Sequence, residues 1–375
     1  MRKIQMVDLH SQYQKVKNEI DEGMQEVIDS SSFINGPQVK EFAAKLAEYL
    51  NINYVIPCAN GTDALQIALM ALDLQPGDEV ITPDFTFIST VEVVKLLGLT
   101  PVLVDVDEET FLIDTDKLEK AVTEKTKAIV PVHLFGQCAN MYEINRIAKK
   151  YNLAVLEDAA QAIGTDYNYN ELKGKAGTLG DIGCTSFFPS KNLGCFGDGG
   201  AIYTNNAALA TRIKAISNHG SQKKYYHSEV GINSRLDTLQ AAILNVKLKF
   251  LDEYNQKRRE AADFYDDALS NISEIITPKR VTWSSHSFHQ YTIKLKTEHL
   301  RDELKAYLKE KEIPSMIYYP VPMHLQEAYK GEGRSQGNLE VSEHLAKTVL
   351  SLPMHTELDE RQMEYITQTI HNFFN

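Results

Sequence analysis

Seven short apolar runs set the tightest limit on what this chain can fold into. They fall at 54–58, 79–82, 101–106, 128–132, 153–157, 184–188 and 201–204, and helical spacing marks 63–72, 89–97, 116–122 and 141–151 between them. Such alternation predicts an α/β fold: a mostly parallel sheet with helices on both faces, its ligands gathered at the carboxyl ends of the strands. Upstream, Ile20, Met24, Val27 and Ile28 recur on one helical face, and Ser30-Ser31-Ser32 with Asn35-Gly36-Pro37 closes the segment. Val39, Phe42, Leu46 and Leu50 mark a second helix. Two further helices, 236–251 and 253–269, lead out of this region. A strand at 286–296, a helix at 300–311, an extended run at 313–321 and helices at 340–350 and 361–374 follow. The expected division is a large domain over 1–250, including the N-terminal helical segment, and a smaller C-terminal α+β domain over 251–375. The stretch 329–338, with three glycines among charged residues, reads as a mobile loop.

The formal net charge of -12 argues against nucleic acid or an anionic membrane as a partner, so any phosphate site must be local. No stretch reaches the roughly 18 apolar residues of a membrane span. Cys58, Cys138, Cys184 and Cys195 form no CxxC pair and have no nearby ligand spacing, which predicts reduced core thiols and no metal site. The first residues, Met1-Arg2-Lys3-Ile4-Gln5-Met6, lack the apolar region of a signal peptide, and a cytoplasmic location is expected.

Four places carry chemistry. In Ser186-Phe187-Phe188-Pro189-Ser190-Lys191 a strand runs into a Pro-Ser turn and a single lysine, followed by four glycines within seven residues from Gly194 to Gly200. A lysine kept from water there loses its proton easily and becomes a nucleophile, fit for a Schiff base; a plain loop lysine is the competing reading. In Cys58-Ala59-Asn60-Gly61-Thr62-Asp63-Ala64-Leu65 a strand passes through a glycine into a helix that Thr62 or Asp63 could cap. Its free N–H groups suit a phosphate, or the turn only caps. Neither a Walker A loop nor GxGxxG is present. Asp158, in Val155-Leu156-Glu157-Asp158-Ala159-Ala160-Gln161, ends an apolar strand and needs a partner: a protonated ring nitrogen or the next helix. Phe87, in Pro83-Asp84-Phe85-Thr86-Phe87, follows a strand and either stacks on a flat ring or packs in the core.

Taken in order, these motifs, with Asn233-Ser234-Arg235-Leu236-Asp237, resemble fold-type I pyridoxal-phosphate enzymes, and among them the DegT-type sugar aminotransferases. The resemblance runs from Asp8-Leu9 to Ser351-Leu352-Pro353-Met354-His355. It implies that Lys191 carries pyridoxal 5'-phosphate as a Schiff base, and that Asp158 holds the pyridinium nitrogen. Phe87 would stack on the ring, Gln161 would lie beside its hydroxyl, and Gly61, Thr62 and Ser186 would cradle the phosphate. Asn233 would reach the phosphate of a neighbouring subunit, making a homodimer with shared active sites. The implied reaction moves an amino group from L-glutamate, through the pyridoxamine 5'-phosphate form, to a keto sugar on a nucleotide. A related branch that dehydrates sugars has histidine at the position of Lys191, and this chain does not.

The closest branch in its details aminates UDP-2-acetamido-2-deoxy-3-oxo-glucuronate for surface polysaccharides such as lipopolysaccharide O-antigen. Other C3 or C4 keto sugars are the alternative, and a cofactor-binding regulator without turnover is a third reading. For the substrate, Arg235 could fork onto a carboxylate, or make a structural ion pair. His227, in the cationic and aromatic run 220–227, suits a pyrophosphate, or the run is a solvated basic loop, and Tyr318 and Tyr319 match a segment near the sugar. Tyr318 departs from the histidine usual in that branch.

Overall fold

The computed structural model describes residues 2–331 and 333–375. Glu332, inside the stretch read as a mobile loop, lies outside the described residues. The strands are β1 (Tyr54–Cys58), β2 (Glu79–Pro83), β3 (Thr100–Val104), β4 (Thr126–Ile129), β5 (Ala154–Asp158), β6 (Asp166–Tyr169), β7 (Leu172–Lys175) and β8 (Ile182–Ser186). They continue with β9 (Gly200–Thr204), β10 (Ser221–Lys223), β11 (Tyr226–His227), β12 (Ile275–Ile276), β13 (Tyr291–Leu295), β14 (Arg334–Ser335) and β15 (Val349–Leu352). Eight form one sheet in the order β1-β9-β8-β5-β4-β2-β3-β14. From β8 to β14 every pairing is parallel; β9 runs antiparallel to both β8 and β1.

Alternation along each strand feeds two cores, as the pleat requires. Ile81, Ile129 and Val155 pack with Leu118, Ile144 and Ile147 on one face. Their neighbours Val80, Ala128 and Leu156 pack with Leu65, Val93 and Ile213 on the other. The register Asp158↔Cys184 sets the carboxyl ends of β5 and β8 side by side. A second sheet, β12-β13-β15, packs against helices Leu251–Leu269, Glu298–Glu310 and Glu360–Phe374, with Ile4 joining the cluster.

Several local expectations need correction. The stretch 329–338 is not simply a loop: Arg334–Ser335 is the edge strand of the large sheet, paired with β3. Arg334 bonds both Glu79 oxygens, at 3.3 and 3.0 Å, and the Ala121 carbonyl. The helix read over 340–350 stops at Thr348, and Val349–Leu352 is a fully buried strand. A continuous apolar run has no period of its own that separates strand from helix. The first 35 residues form helix Leu9–Ser30, and Pro37–Leu50 follows as the second helix.

The C-terminal part is tied to the large sheet through buried carboxylates. Asp105, just after β3, accepts from the backbone N–H groups of Val341 and Ser342, the Ser342 hydroxyl and Lys117 Nζ. Burial acts to raise its pKa, but the bonds from Ser342 and Lys117 outweigh burial and hold it below 3.8. A lowered folded value adds stability above the unfolded pKa, and that stability is lost as pH falls through the folded value. Asp105→Ala is therefore expected to cost about 2–3 kcal/mol at neutral pH, several degrees of melting temperature. In melting curves recorded against pH, the gap to the native protein should narrow in acid; a gap that does not change with pH contradicts the assignment.

Candidate active site

Several of the expected residues, Asp158, Gln161, Ser186 and Lys191, lie at or just past the carboxyl ends of β5 and β8. Asp158 ends β5 and is 6 % exposed. Its Oδ2 accepts from Thr90 Oγ1 at 2.7 Å, and its Oδ1 from the Ala160 N–H at 3.2 Å. Neighbouring Glu157 points to the opposite face, as strand alternation requires. There it is saturated by the N–H groups of Gly177, Leu179 and Gly180 and by His133 Nε2. Glu157 is a structural anchor, whereas Asp158 keeps acceptor capacity on the site side.

Past β8 the chain closes a tight turn. The Lys191 N–H donates to the Phe188 carbonyl at 2.8 Å, and the Cys195 N–H returns to the Phe187 carbonyl at 2.8 Å. Asn192, 3 % exposed, donates from Nδ2 to Asn255 Oδ1 and to the Ser287 carbonyl. Burial pushes the Lys191 ammonium down to about 8, against the opposing pull of the Asp158 charge. Its amine makes no hydrogen bond among the described residues. Such a lysine gives up its proton far more readily than an exposed one.

Gly61 opens helix Gly61–Ala71 beside Ser186, so closely that a Cβ on it would lie 2.7 Å from Ser186 Cβ. Strand end and helix N-terminus thus form one cradle. The helix cap is Asn60, whose side chain accepts from the Asp63 N–H at 2.8 Å; neither Thr62 nor Asp63 caps it. Thr62 Oγ1 instead pairs with Ser89 Oγ at 2.8 Å.

Phe85 is fully buried, but Phe87 is 51 % exposed, so the core reading does not hold for it. Its ring lies 6.1 Å from that of Tyr319. Gln161 Nε2 donates to Tyr319 Oη at 3.0 Å, while its Oε1 accepts from the Phe135 N–H at 2.7 Å. Tyr318 packs its ring against Tyr319 at 5.9 Å and is half-buried. These contacts fall into groups: Lys191 with Asp158, Gln161 with Tyr319, Phe87 and Tyr318, Gly61 with Ser186, and Thr62 with Ser89.

Three other expected residues make no contact with Lys191 or Asp158 among the described residues. Asn233 is exposed. Arg235 lines a separate cavity of about 590 Å³ with Asn35, Lys214 and Gln222. His227, on the β10–β11 hairpin, donates from Nδ1 to the His219 carbonyl at 2.8 Å. Their segment is fixed nonetheless, because the Ala59 N–H next to the cradle donates to Ser234 Oγ at 3.0 Å. Sequence reading missed Thr90, Asn192 and Asn60. The first two act through partners remote in sequence and leave no local signal, whereas Asn at a helix start is an ordinary capping signal.

A sequence model of the DegT/DnrJ/EryC1/StrS aminotransferase family matches residues 14–371. A pleiotropic regulatory protein of Geobacillus stearothermophilus is 48% identical, over 99% of this chain and 98% of the relative. The UDP-2-acetamido-2-deoxy-3-oxo-D-glucuronate aminotransferase of Pseudomonas aeruginosa is 45% identical, over 98% of this chain and all (100%) of its own length. A crystal structure of NtdA from Bacillus subtilis with bound cofactor PMP superposes with a TM-score of 0.88 at 34% identity, over 98% of this chain and 83% of that one.

If the cradle takes a ligand, Gly61→Ala should fail to retain it. The added methyl must displace the Ser186 side chain, so at least a tenfold loss of pyridoxal phosphate affinity is expected in a fluorescence titration. Unchanged affinity would separate the cradle from phosphate binding.

Proposed function

The chain belongs to the DegT/DnrJ/EryC1/StrS aminotransferase family, and on that premise we propose that Lys191 bears the cofactor and that the acceptor is UDP-2-acetamido-2-deoxy-3-oxo-glucuronate. The protein is a pyridoxal-phosphate-dependent aminotransferase acting on nucleotide keto sugars. The residues present fit that cofactor. The Gly61–Ser186 cradle has room for no Cβ and places a helix N-terminus where an anionic phosphate is favoured. Asp158 supplies a negative charge for a protonated ring nitrogen, and the exposed Phe87 an aromatic face. Gln161 supplies an amide for the ring hydroxyl.

When bound, pyridoxal phosphate supplies the electron sink that proton removal from the substrate carbon requires. The protein supplies the rest. Lys191, in its neutral form, accepts that proton as general base and returns it as general acid. Asp158 stays oriented through Thr90 and Ala160 and favours the positive ring nitrogen. Tyr319, joined to Gln161 and packed on Phe87, fixes one side of the site. L-glutamate is the amino donor and leaves as 2-oxoglutarate; the keto sugar then takes the amine.

The observation that carries this reading is Lys191, a half-buried loop lysine whose amine makes no hydrogen bond among the described residues and whose ammonium is brought down to about 8 by desolvation, against the pull of the Asp158 charge. The substrate rests on the Pseudomonas aeruginosa relative's 45% identity over its whole length. A homodimer with shared sites is supported by Asn233, which is exposed, and by Arg235, which lines a cavity, on a segment anchored beside the cradle. The exposed Phe33 and Ile34 are joined to that segment at Thr238 and Asp237. Such a dimer would bring Arg235 and His227 to the sugar nucleotide of its partner. The product then serves surface polysaccharide, and the enzyme works in the cytoplasm. The Geobacillus stearothermophilus relative's name keeps a second reading in view, a cofactor-bound regulator.

The absorbance of the purified holoenzyme separates these readings. L-glutamate should convert the cofactor band, and the UDP-3-oxo-glucuronate sugar should restore it. Conversion without restoration by that sugar discards the substrate; a bound cofactor that glutamate cannot convert favours the regulator. Lys191→Ala should lose turnover by at least 10³-fold while melting like the native protein, and normal turnover in that variant overturns the lysine assignment.

A further inference from the structure

Two hydrogen-bonded paths lead from Asn192, next to Lys191, to the turn that follows Asp158 and Gln161. One of them runs through a residue that the proposed chemistry does not use, Asn255 of helix Leu251–Leu269, which is 1 % exposed. Asn192 Nδ2 donates to Asn255 Oδ1 at 2.8 Å, and Asn255 Nδ2 donates to the Ile163 carbonyl at 3.1 Å. On the other path Asn192 Nδ2 donates to the Ser287 carbonyl at 2.9 Å, and Ser287 Oγ meets Thr165 Oγ1 at 2.9 Å. Both paths leave the loop one residue from Lys191, and they rejoin at residues 163 and 165. The segment they reach is closed by its own turns. The Ala162 N–H donates to the Ala159 carbonyl and the Thr165 N–H to the Ala162 carbonyl, each at 3.0 Å.

The orientation of both amides follows from acceptors that cannot donate. The Ile163 and Ser287 carbonyls each require an amide N–H, which leaves Asn255 Oδ1 for the remaining N–H of Asn192. Gly164 makes room for this arrangement: its φ is +82°, and a Cβ on it would lie 2.6 Å from Asn255 Nδ2. Apolar packing joins the same three elements, since Ile163 from the turn, Phe187 and Leu193 from the loop and Leu251 from the helix share one buried cluster. Asn192 Oδ1 has no partner among the described residues, which costs stability. What the amide pair adds to the packing is direction.

We propose that Asn255 is a positioning residue that acts through Asn192 and holds the Lys191 loop in register with the turn carrying Asp158 and Gln161. It touches no reacting atom. Apolar side chains can slide past one another at small cost, whereas these amides cannot move without leaving a buried carbonyl unpaired. The inference rests on the reading of Lys191 as the reacting lysine.

The test reads hydrogen–deuterium exchange in the cofactor-free, full-length protein and kinetics in the holoenzyme. Asn255→Leu, close in size to the native side chain, should speed exchange in peptides covering 187–195 and 159–165 by about tenfold, with peptides from β2 to β4 unchanged. In the holoenzyme it should lower kcat by roughly 10–100-fold and leave KM for glutamate unchanged. Asn192→Leu cuts both paths, so adding Asn255→Leu to it should lower kcat no further. A merely structural asparagine would lower the melting temperature without selective exchange and without a change in kcat. Native exchange in both peptides, a native kcat, or additive losses in the double variant overturns the proposal. Should Asn255→Leu fail to fold, Asn255→Ser, whose hydroxyl is too short to reach both partners, is expected to give the same pattern, and native behaviour in that variant overturns the proposal. Normal turnover in Lys191→Ala would instead overturn the reading of the lysine, and it is told apart by an exchange pattern that still responds to Asn255→Leu.

Discussion

The Phe187 carbonyl closes the turn on which the site depends. It accepts both the Cys195 N–H, at 2.8 Å, and the Cys195 thiol, at 3.0 Å, so the chain between them forms a closed loop at the end of β8. Asn192 pins one side of that loop and Lys247 the other, Nζ donating to the Gly194 carbonyl at 2.5 Å. Lys191 is therefore presented by a backbone with little freedom, which is what catalysis by proximity requires. The sheet supplies the second half of the constraint. Parallel pairing of β5 with β8 leaves Asp158 at the same level as the loop, with no adjustable linker between them.

Lys247 shows why a displaced pKa alone does not designate a catalytic group. It is buried, and burial pushes its ammonium down to about 8, as for Lys191. Its amine is nevertheless bonded to a carbonyl of the loop. Lys191 differs in having an amine that makes no hydrogen bond among the described residues and that feels the charge of Asp158. Geometry separates the two lysines where electrostatics does not.

Much of this was legible in the sequence because the decisive signals are local. A lysine after a Pro-Ser turn, an acid ending an apolar strand and an aromatic two residues past another buried aromatic each occupy one short stretch. Phe85 and Phe87 could not be told apart by composition, since the backbone alone decides which of them faces the site. What sequence left hidden is non-local. Thr90 orients Asp158 from 68 residues away, and Arg334 reaches Glu79 across 255. The edge strand β14 has two residues and no periodicity to detect. Val349–Leu352 continued an apolar helical pattern from Leu345 and Ala346, and only pairing with β13 makes it a strand.

The C-terminal part completes the site from the side. Asp84, fully buried after β2, accepts from both the backbone N–H and the ring Nδ1 of His324. That pairing holds the segment carrying Tyr318 and Tyr319 against Phe85 and Phe87. The account stands or falls on which lysine bears the cofactor. Borohydride reduction of the holoenzyme followed by peptide mass mapping answers that directly. A phosphopyridoxyl group on the Lys191 peptide is the predicted result; one on Lys247 or any other lysine, or none at all, contradicts it.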